Sequence, residues 1–263
     1  MTFEKYLDKQ TAYGKCYFTI DNASQELNKS KNALKLSISH LISKGEIASP
    51  SRGFYVIIPP EYRILGCIPA DQFIPYLMEY LTCKYYVGLM TAASYYGVAH
   101  QAPQVFQVMT ERQLSPIMCG KVKIQFIKNQ LIDTVPTNLI STPKSRFLVA
   151  TPEALAMDFF RFMKQSGGLN NITTMLCELT DKIDEEKLRL IIETQPGINW
   201  KQRLGYVLDF IESRSLASII KKYLSEQPRV NYIPLNSSVK KSNKKEKDQT
   251  WKIIVNTTIE SDI

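Results

Sequence analysis

From Ser30 to Ile58 the pattern of apolar and polar positions predicts a helix, a glycine stop and two short strands around a tight turn. Leu34, Ile38, Leu41 and Ile42 recur at i, i+4, i+7 and i+8, which gives a helix one apolar stripe. Asn32, Lys35, Ser39 and His40 fall on the opposite face, with Leu36 among them. Ser30 is suited to cap the helix and Gly45 to end it. Glu46-Ile47-Ala48, a turn rich in Ser, Pro, Arg and Gly, and the apolar run Phe54 to Ile58 supply the strands. Upstream, Phe3, Tyr6 and Leu7 mark one face of a first helix that ends near Tyr13-Gly14. Cys16 to Ile20 is a short β-rich run suited to pair with the hairpin. Asp21 or Asn22 then caps a short middle helix with Leu27 inward, and Asn28-Lys29 is a turn.

Pro59-Pro60 closes the last strand, because proline cannot continue a ladder, and a domain boundary is expected near Pro60–Arg63. Beyond the apolar connector Ile64–Pro69, Asp71 to Leu81 reads as a helix carrying Pro75, and the small residues of Thr91 to Gly97 suit close helix packing. Gln104 to Thr110 and Lys121 to Ile127 alternate like half-buried strands. Leu139-Ile140 and Phe147 to Ala150 read as two more. Thr151-Pro152-Glu153 opens a helix: the threonine caps, proline takes the first position and glutamate meets the dipole. After the Gly167-Gly168 break come helices at 170–180, 185–193, 201–213 and 216–224. The expected fold class is therefore α+β, with a small sheet early and helices late. The expected domains are 1–60 and 64–235, then a lysine-rich linker at 236–250 (Lys240, Lys241, Lys244, Lys245, Lys247). A last strand at 251–256 is expected to dock on the second domain or on another subunit.

Composition narrows the chemistry. The chain has 263 residues, 44% of them hydrophobic, with a net charge of +8 and a pI near 9.1, which favours a polyanionic partner without naming one. The five cysteines are scattered without a CxxC pair, which argues against zinc and a disulfide framework and suits a reducing cytoplasm. The N-terminus is charged and lacks the apolar core of a signal peptide, and no apolar run approaches the ~18 residues of a membrane span.

The order helix, strand, helix, turn, helix, hairpin is that of a winged helix-turn-helix. On that reading the polar face of the last helix faces a major groove through Ser30, Asn32, Lys35 and Ser39. Ser24 and Gln25, at the head of the middle helix, and Lys29, Lys31 and Arg52 contact phosphate. Arg52 reads equally as a solvated turn residue and His40 as a polar helix end. Leu36 suits either a thymine methyl or a partner subunit. The second domain shows no GxxxxGK[ST], GxGxxG or GxSxG motif, so no cofactor is expected. His100 with Cys119, or Glu153 with Asp158, would be the only candidate pairs. The strand Lys121–Ile127 lacks the carboxylate a metal-dependent nuclease wants. Arg203 reads as a structural salt-bridge partner. The pairs Tyr85-Tyr86 and Tyr95-Tyr96 suit core packing or base stacking. These features exclude no regulator with a ligand-sensing or nuclease-derived second domain.

The run YYVGLMTAASYYGVAHQAPQVFQVMTER, with TPEALAMDFF, KQRLGYVLDFIE and KGEIASPSRGFYVI, resembles AbiEi-type antitoxins over roughly residues 1–235. The resemblance implies a type IV toxin–antitoxin, or abortive-infection, operon of a bacterium. A winged helix would repress that operon by binding promoter inverted repeats in double-stranded DNA. The other domain would counter an AbiEii-type nucleotidyltransferase toxin, generally without a stable complex. The resemblance implies a cytoplasmic protein that is no enzyme and needs no membrane, a monomer or weak dimer that pairs on DNA.

Overall fold

A computed structural model describes residues 1–142, 144–237, 239 and 246–260. The expected linker lysines Lys240, Lys241, Lys244 and Lys245 lie outside the described residues. The fold class is α+β, as expected, and its elements fall into two compact units that interleave along the chain. One holds Met1–Val87, Gln104–Ile132 and Asn138–Val149; the other holds Gly88–Pro103, Asp133–Thr137 and the chain from Ala150 onward.

The first unit begins with α1 (Phe3–Ala12), β1 (Tyr17–Thr19), α2 (Ile20–Leu27), α3 (Lys31–Ser43), β2 (Ile47–Ser51) and β3 (Phe54–Ile57). Strand β3 lies between the other two and is antiparallel to both, so the order and pairing are those of a winged helix-turn-helix. Its core gathers Phe3, Tyr6, Leu7, Phe18, Ala23, Leu27, Leu34, Ile38, Leu41 and Ile47. Each such large apolar side chain contributes about 1.5–3 kcal/mol by leaving water. Phe18 takes Phe3 and Tyr6 edge-on at 5.7 and 5.9 Å.

Three local expectations are corrected. Helix α2 starts at Ile20, capped by the Thr19 hydroxyl on Asn22 N–H (3.2 Å), and not at Asp21 or Asn22. Ile42 stays 43% exposed, so the buried stripe of α3 is Leu34, Ile38 and Leu41. Strand β2 runs through Pro50 to Ser51, with its register shifted between Ala48 and Ser51. Proline is tolerated there because β2 is an edge strand.

The same unit continues with α4 (Ala70–Tyr80) and a sheet of β4 (Tyr85–Val87), β5 (Phe106–Thr110), β6 (Ile117–Cys119), β7 (Val122–Lys128), β8 (Thr137–Ser141) and β9 (Arg146–Ala150), in the order β6-β7-β5-β4-β9-β8. This sheet is larger than expected by β4 and β6. Pro75 sits inside α4 and has no N–H to offer Asp71 C=O. The Ser145 hydroxyl donates to that carbonyl at 2.5 Å instead, so the proline leaves no orphaned acceptor.

The second unit is helical: α5 (Leu89–Tyr95), α6 (Pro152–Arg161), α7 (Leu169–Leu179), α8 (Glu185–Thr194), α9 (Asn199–Phe210) and α10 (Arg214–Ser225). Helix α6 is buried from Glu153 to Phe160 and touches α5, α7, α8 and α9. A small sheet of β10 (Ile233–Pro234), β11 (Glu246–Asp248) and β12 (Ile253–Val255), ordered β10-β12-β11, packs on α9. Gln202 Nε2 donates to the carbonyls of Asn231, Trp251 and Lys252 at 2.9, 3.0 and 3.2 Å. Arg203 donates to the carbonyls of Pro234 and Leu235 at 3.1 Å, so its partners are backbone oxygens where a salt bridge was expected. Burial lowers the pKa of its guanidinium. Among the described residues no helix is long and apolar enough to cross a membrane.

Candidate nucleic-acid interface

Ser30 opens α3 from an extended conformation, its Oγ accepting from Ala33 N–H at 3.2 Å. Burial of Leu34, Ile38 and Leu41 turns Asn32, Lys35, Leu36 and Ser39 outward, and all four are exposed. Lys35 stands three positions after Asn32 and four before Ser39, so the three polar groups share one helical face. A helix with side chains is about 10–12 Å across, which matches a major groove about 12 Å wide. Leu36, 82% exposed, puts an apolar tip beside them. His40 lies off this face, in a groove of about 560 Å³ shared with Thr2, Lys5, Lys29 and Ser37.

The turn into α3 is held from within. Asn28 adopts φ 50°, and Lys29 N–H and the Ser24 hydroxyl close the turn from opposite sides: Lys29 N–H donates to Ser24 C=O at 3.1 Å, and Ser24 Oγ donates to Lys29 C=O at 2.6 Å. Because α2 begins at Ile20, Ser24 and Gln25 are mid-helix rather than at its head. Ser24 is half-buried with its proton committed to the turn, whereas Gln25 is exposed. At the true start of α2, Ile20 N–H is taken by Gly53 C=O and Asn22 N–H by the Thr19 hydroxyl.

Acidic groups neutralise part of the module and leave part bare. Lys31 pairs with Asp21, and Lys9 with Glu26 at 3.1 Å. Lys29, Lys35 and Arg52 are exposed and have no ion partner among the described residues. Arg52 forms the tip of the β2–β3 hairpin with Gly53. Unpaired cations on the turn, on the outward face of α3 and at the hairpin tip suit phosphate. Asn32, Lys35 and Ser39 offer donors and acceptors of the length that reads base edges.

The other candidate pairs do different work. His100 Nε2 meets Glu178 at 3.4 Å on the surface. Cys119 shares a thiol hydrogen bond with buried Cys67, which lowers the Cys119 pKa and raises that of Cys67. Glu153 Oε1 accepts from Asp184 N–H at 2.9 Å, at the start of α8, and Asp158 is fully buried. Among the described residues no group of three or more His, Cys, Asp or Glu comes close enough to hold a metal ion. Tyr86 is fully buried and accepts from Asn129 Nδ2 at 2.9 Å, so it is not free to stack on a base. The Tyr96 hydroxyl donates to Ala150 C=O at 2.7 Å.

Residues 86–210, just under half of the chain, match the family model of the AbiEi antitoxin C-terminal domain. No curated protein matches the chain in sequence. The crystal structure of the RV2827C protein from Mycobacterium tuberculosis is similar, with a TM-score of 0.67 at 15% identity, covering 95% of this chain and 90% of that one. At that identity the likeness concerns the fold. An antigenic nucleotidyltransferase-like protein from Paracoccidioides brasiliensis superposes with a TM-score of 0.41 at 10% identity, covering 58% of this chain and 90% of that one.

Proposed function

The chain is similar to AbiEi-type antitoxins through residues 86–210, and from that premise we propose that it is the antitoxin and autorepressor of a type IV toxin–antitoxin operon. Residues 1–60 bind inverted repeats in the operon's promoter, with α3 in the major groove and Arg52 on the backbone beside it. Ser30, Asn32, Lys35 and Ser39 face the groove. Lys29 and Lys31 steady the register on phosphate, Lys31 exchanging Asp21 for it. Gln25 and the start of α2 lie toward the backbone. Two copies, one for each half-site, meet on the DNA. The rest of the chain counters a nucleotidyltransferase toxin of the AbiEii type in the bacterial cytoplasm, without chemistry of its own.

The observation that carries the DNA reading is the outward face of α3, where Asn32, Lys35 and Ser39 stand exposed without acidic neighbours in the same helix. Fluorescence anisotropy with a duplex from the protein's own promoter tests it. Lys35→Ala is expected to weaken binding roughly 5–10-fold and to reduce the salt dependence by about one phosphate contact. Binding by Lys35→Ala equal to wild type at every salt concentration contradicts the assignment. Co-expression with the toxin tests the second role: the full chain protects growth, and a chain ending at Pro60 does not.

A further inference from the structure

The tip of the β2–β3 hairpin is held at two backbone oxygens. Ile20 N–H, at the start of α2, donates to Gly53 C=O at 2.9 Å. The Tyr80 hydroxyl, at the end of α4, donates to Arg52 C=O at 3.0 Å. The strand ladder does not set this tip by itself, because its register shifts between Ala48 and Ser51. Ser49 Oγ bridges the irregular stretch, reaching Ser51 C=O at 2.9 Å and Phe54 C=O at 3.3 Å. Gly53 takes φ +82°, and a Cβ there would stand 2.6 Å from Tyr80 Oη. The absent side chain is what lets the hydroxyl in.

Aromatic contacts fix Tyr80 itself. Its ring lies 5.6 Å from that of Phe54. Tyr76, one turn earlier on α4, stacks on Tyr17 at 4.5 Å, and Tyr17 stacks on Phe54 at 5.3 Å. Helix α4 thus grips β1 and β3 with two tyrosines and ties the Arg52 peptide with one hydroxyl. The Arg52 side chain remains exposed.

We propose that Tyr80 is a positioning residue for DNA binding: its hydroxyl fixes the Arg52 peptide and so the direction in which the guanidinium leaves the hairpin. This rests on the reading of residues 1–60 as a DNA-binding module. A residue of α4, outside that module and not itself on the DNA, then controls how well the hairpin meets a phosphate. A guanidinium on a tethered peptide loses less freedom on contact than one on a loose tip, and the difference appears as affinity.

The test is a double-mutant cycle on the full chain, using anisotropy with the promoter duplex over a salt series. Tyr80→Phe keeps the ring and removes the hydroxyl; it is expected to weaken binding about fivefold. Arg52→Ala is expected to weaken it at least as much, and adding Tyr80→Phe to Arg52→Ala is expected to change nothing more. Tyr76→Phe leaves the Arg52 carbonyl alone and should bind like wild type. Wild-type affinity in Tyr80→Phe overturns the proposal. So does a Tyr80→Phe loss that persists undiminished beside Arg52→Ala, since the tyrosine would then act through general stability. Failure of the wild-type chain to bind any duplex overturns the DNA reading and the proposal with it, and is told apart because the unmutated protein already shows it.

Discussion

Gly205→Ala is the sharpest structural test of the second unit. Trp251 is 1% exposed and lies flat on α9 at Gly205. A Cβ at position 205 would fall 2.0 Å from Trp251 Cζ3, 2.5 Å from Cε3 and 2.7 Å from Cη2. Carbon atoms settle at about 3.5–4.0 Å, so the indole must move by more than an ångström. Moving it strains or breaks the bond from Nε1 to Asp209 Oδ2, 3.1 Å long, and disturbs the Trp251 carbonyl that Gln202 holds. Overpacking of this kind costs about 1–3 kcal/mol, and full ejection of a buried tryptophan about 3–5 kcal/mol. Alanine returns about 1 kcal/mol through helix propensity. A net loss of about 0–4 kcal/mol follows, read by urea denaturation, with a red shift in tryptophan emission that reports the displaced indole even where the net loss is small. In a Trp251→Ala background the clash is gone, and Gly205→Ala should be neutral or stabilising by up to about 1 kcal/mol. Wild-type stability and emission in the single variant would refute the packing argument.

Two further outcomes follow from burial. Burial, and after it the charge of Glu26, push the Tyr6 hydroxyl up to about 12; burial takes Tyr85 to about 12 as well. The unfolded chain ionises these groups near pH 10, so their contribution is whole below that value and is lost as pH rises toward 12. Tyr6→Phe should lose on the order of 2–3 kcal/mol less than wild type between pH 9 and 12 in urea titrations, and parallel curves would contradict the assignment. Among the thiols, Cys16, Cys67, Cys83 and Cys119 are buried and Cys177 is partly exposed. One rapid equivalent is therefore expected with an aromatic disulfide reagent under native conditions, lost in Cys177→Ser; several rapid equivalents would show that the buried four open readily.

Sequence spacing reveals elements whose burial is one-sided. The stripes of α1 and α3 are readable because water on the other face forces polar residues there. Strands β4 and β6 are not readable in that way. Each has three residues, and in β4 both Tyr86 and Val87 are buried, so nothing alternates. The start of α2 is missed because apolar Ile20 gives no capping signal, while Thr19 before it closes a strand and caps a helix at once. The polar face of α3 is legible as a set of residues, including Lys35 and Ser39. What Arg52 does is less so: its tether to Tyr80 spans 28 positions, and no local pattern announces it. The same holds for Trp251 on Gly205, a contact that depends on the chain returning to α9.

That tether changes what a truncation can mean. The face of β1 and β3 that carries Tyr17 and Phe54 is covered by Tyr76 and Tyr80 of α4, and Cys16 Sγ donates to Gln72 C=O at 3.4 Å. A chain ending at Pro60 uncovers these rings and frees the Arg52 peptide. Extending it through α4 restores those partners but still omits the sheet strands after residue 104 that complete the same compact unit. A 1–60 fragment is therefore expected to unfold at lower urea and over a broader range than this region does in the full chain, as followed by NMR signals of Phe18 and Phe54. It is also expected to bind duplex DNA more weakly than its exposed residues alone would dictate. If the fragment matches the full chain in midpoint and affinity, α4 is a bystander. If it does not, loss of repression on truncation locates a support for the hairpin in residues 70–80, and assigning DNA contact to the deleted segment would mistake the scaffold for the surface it holds.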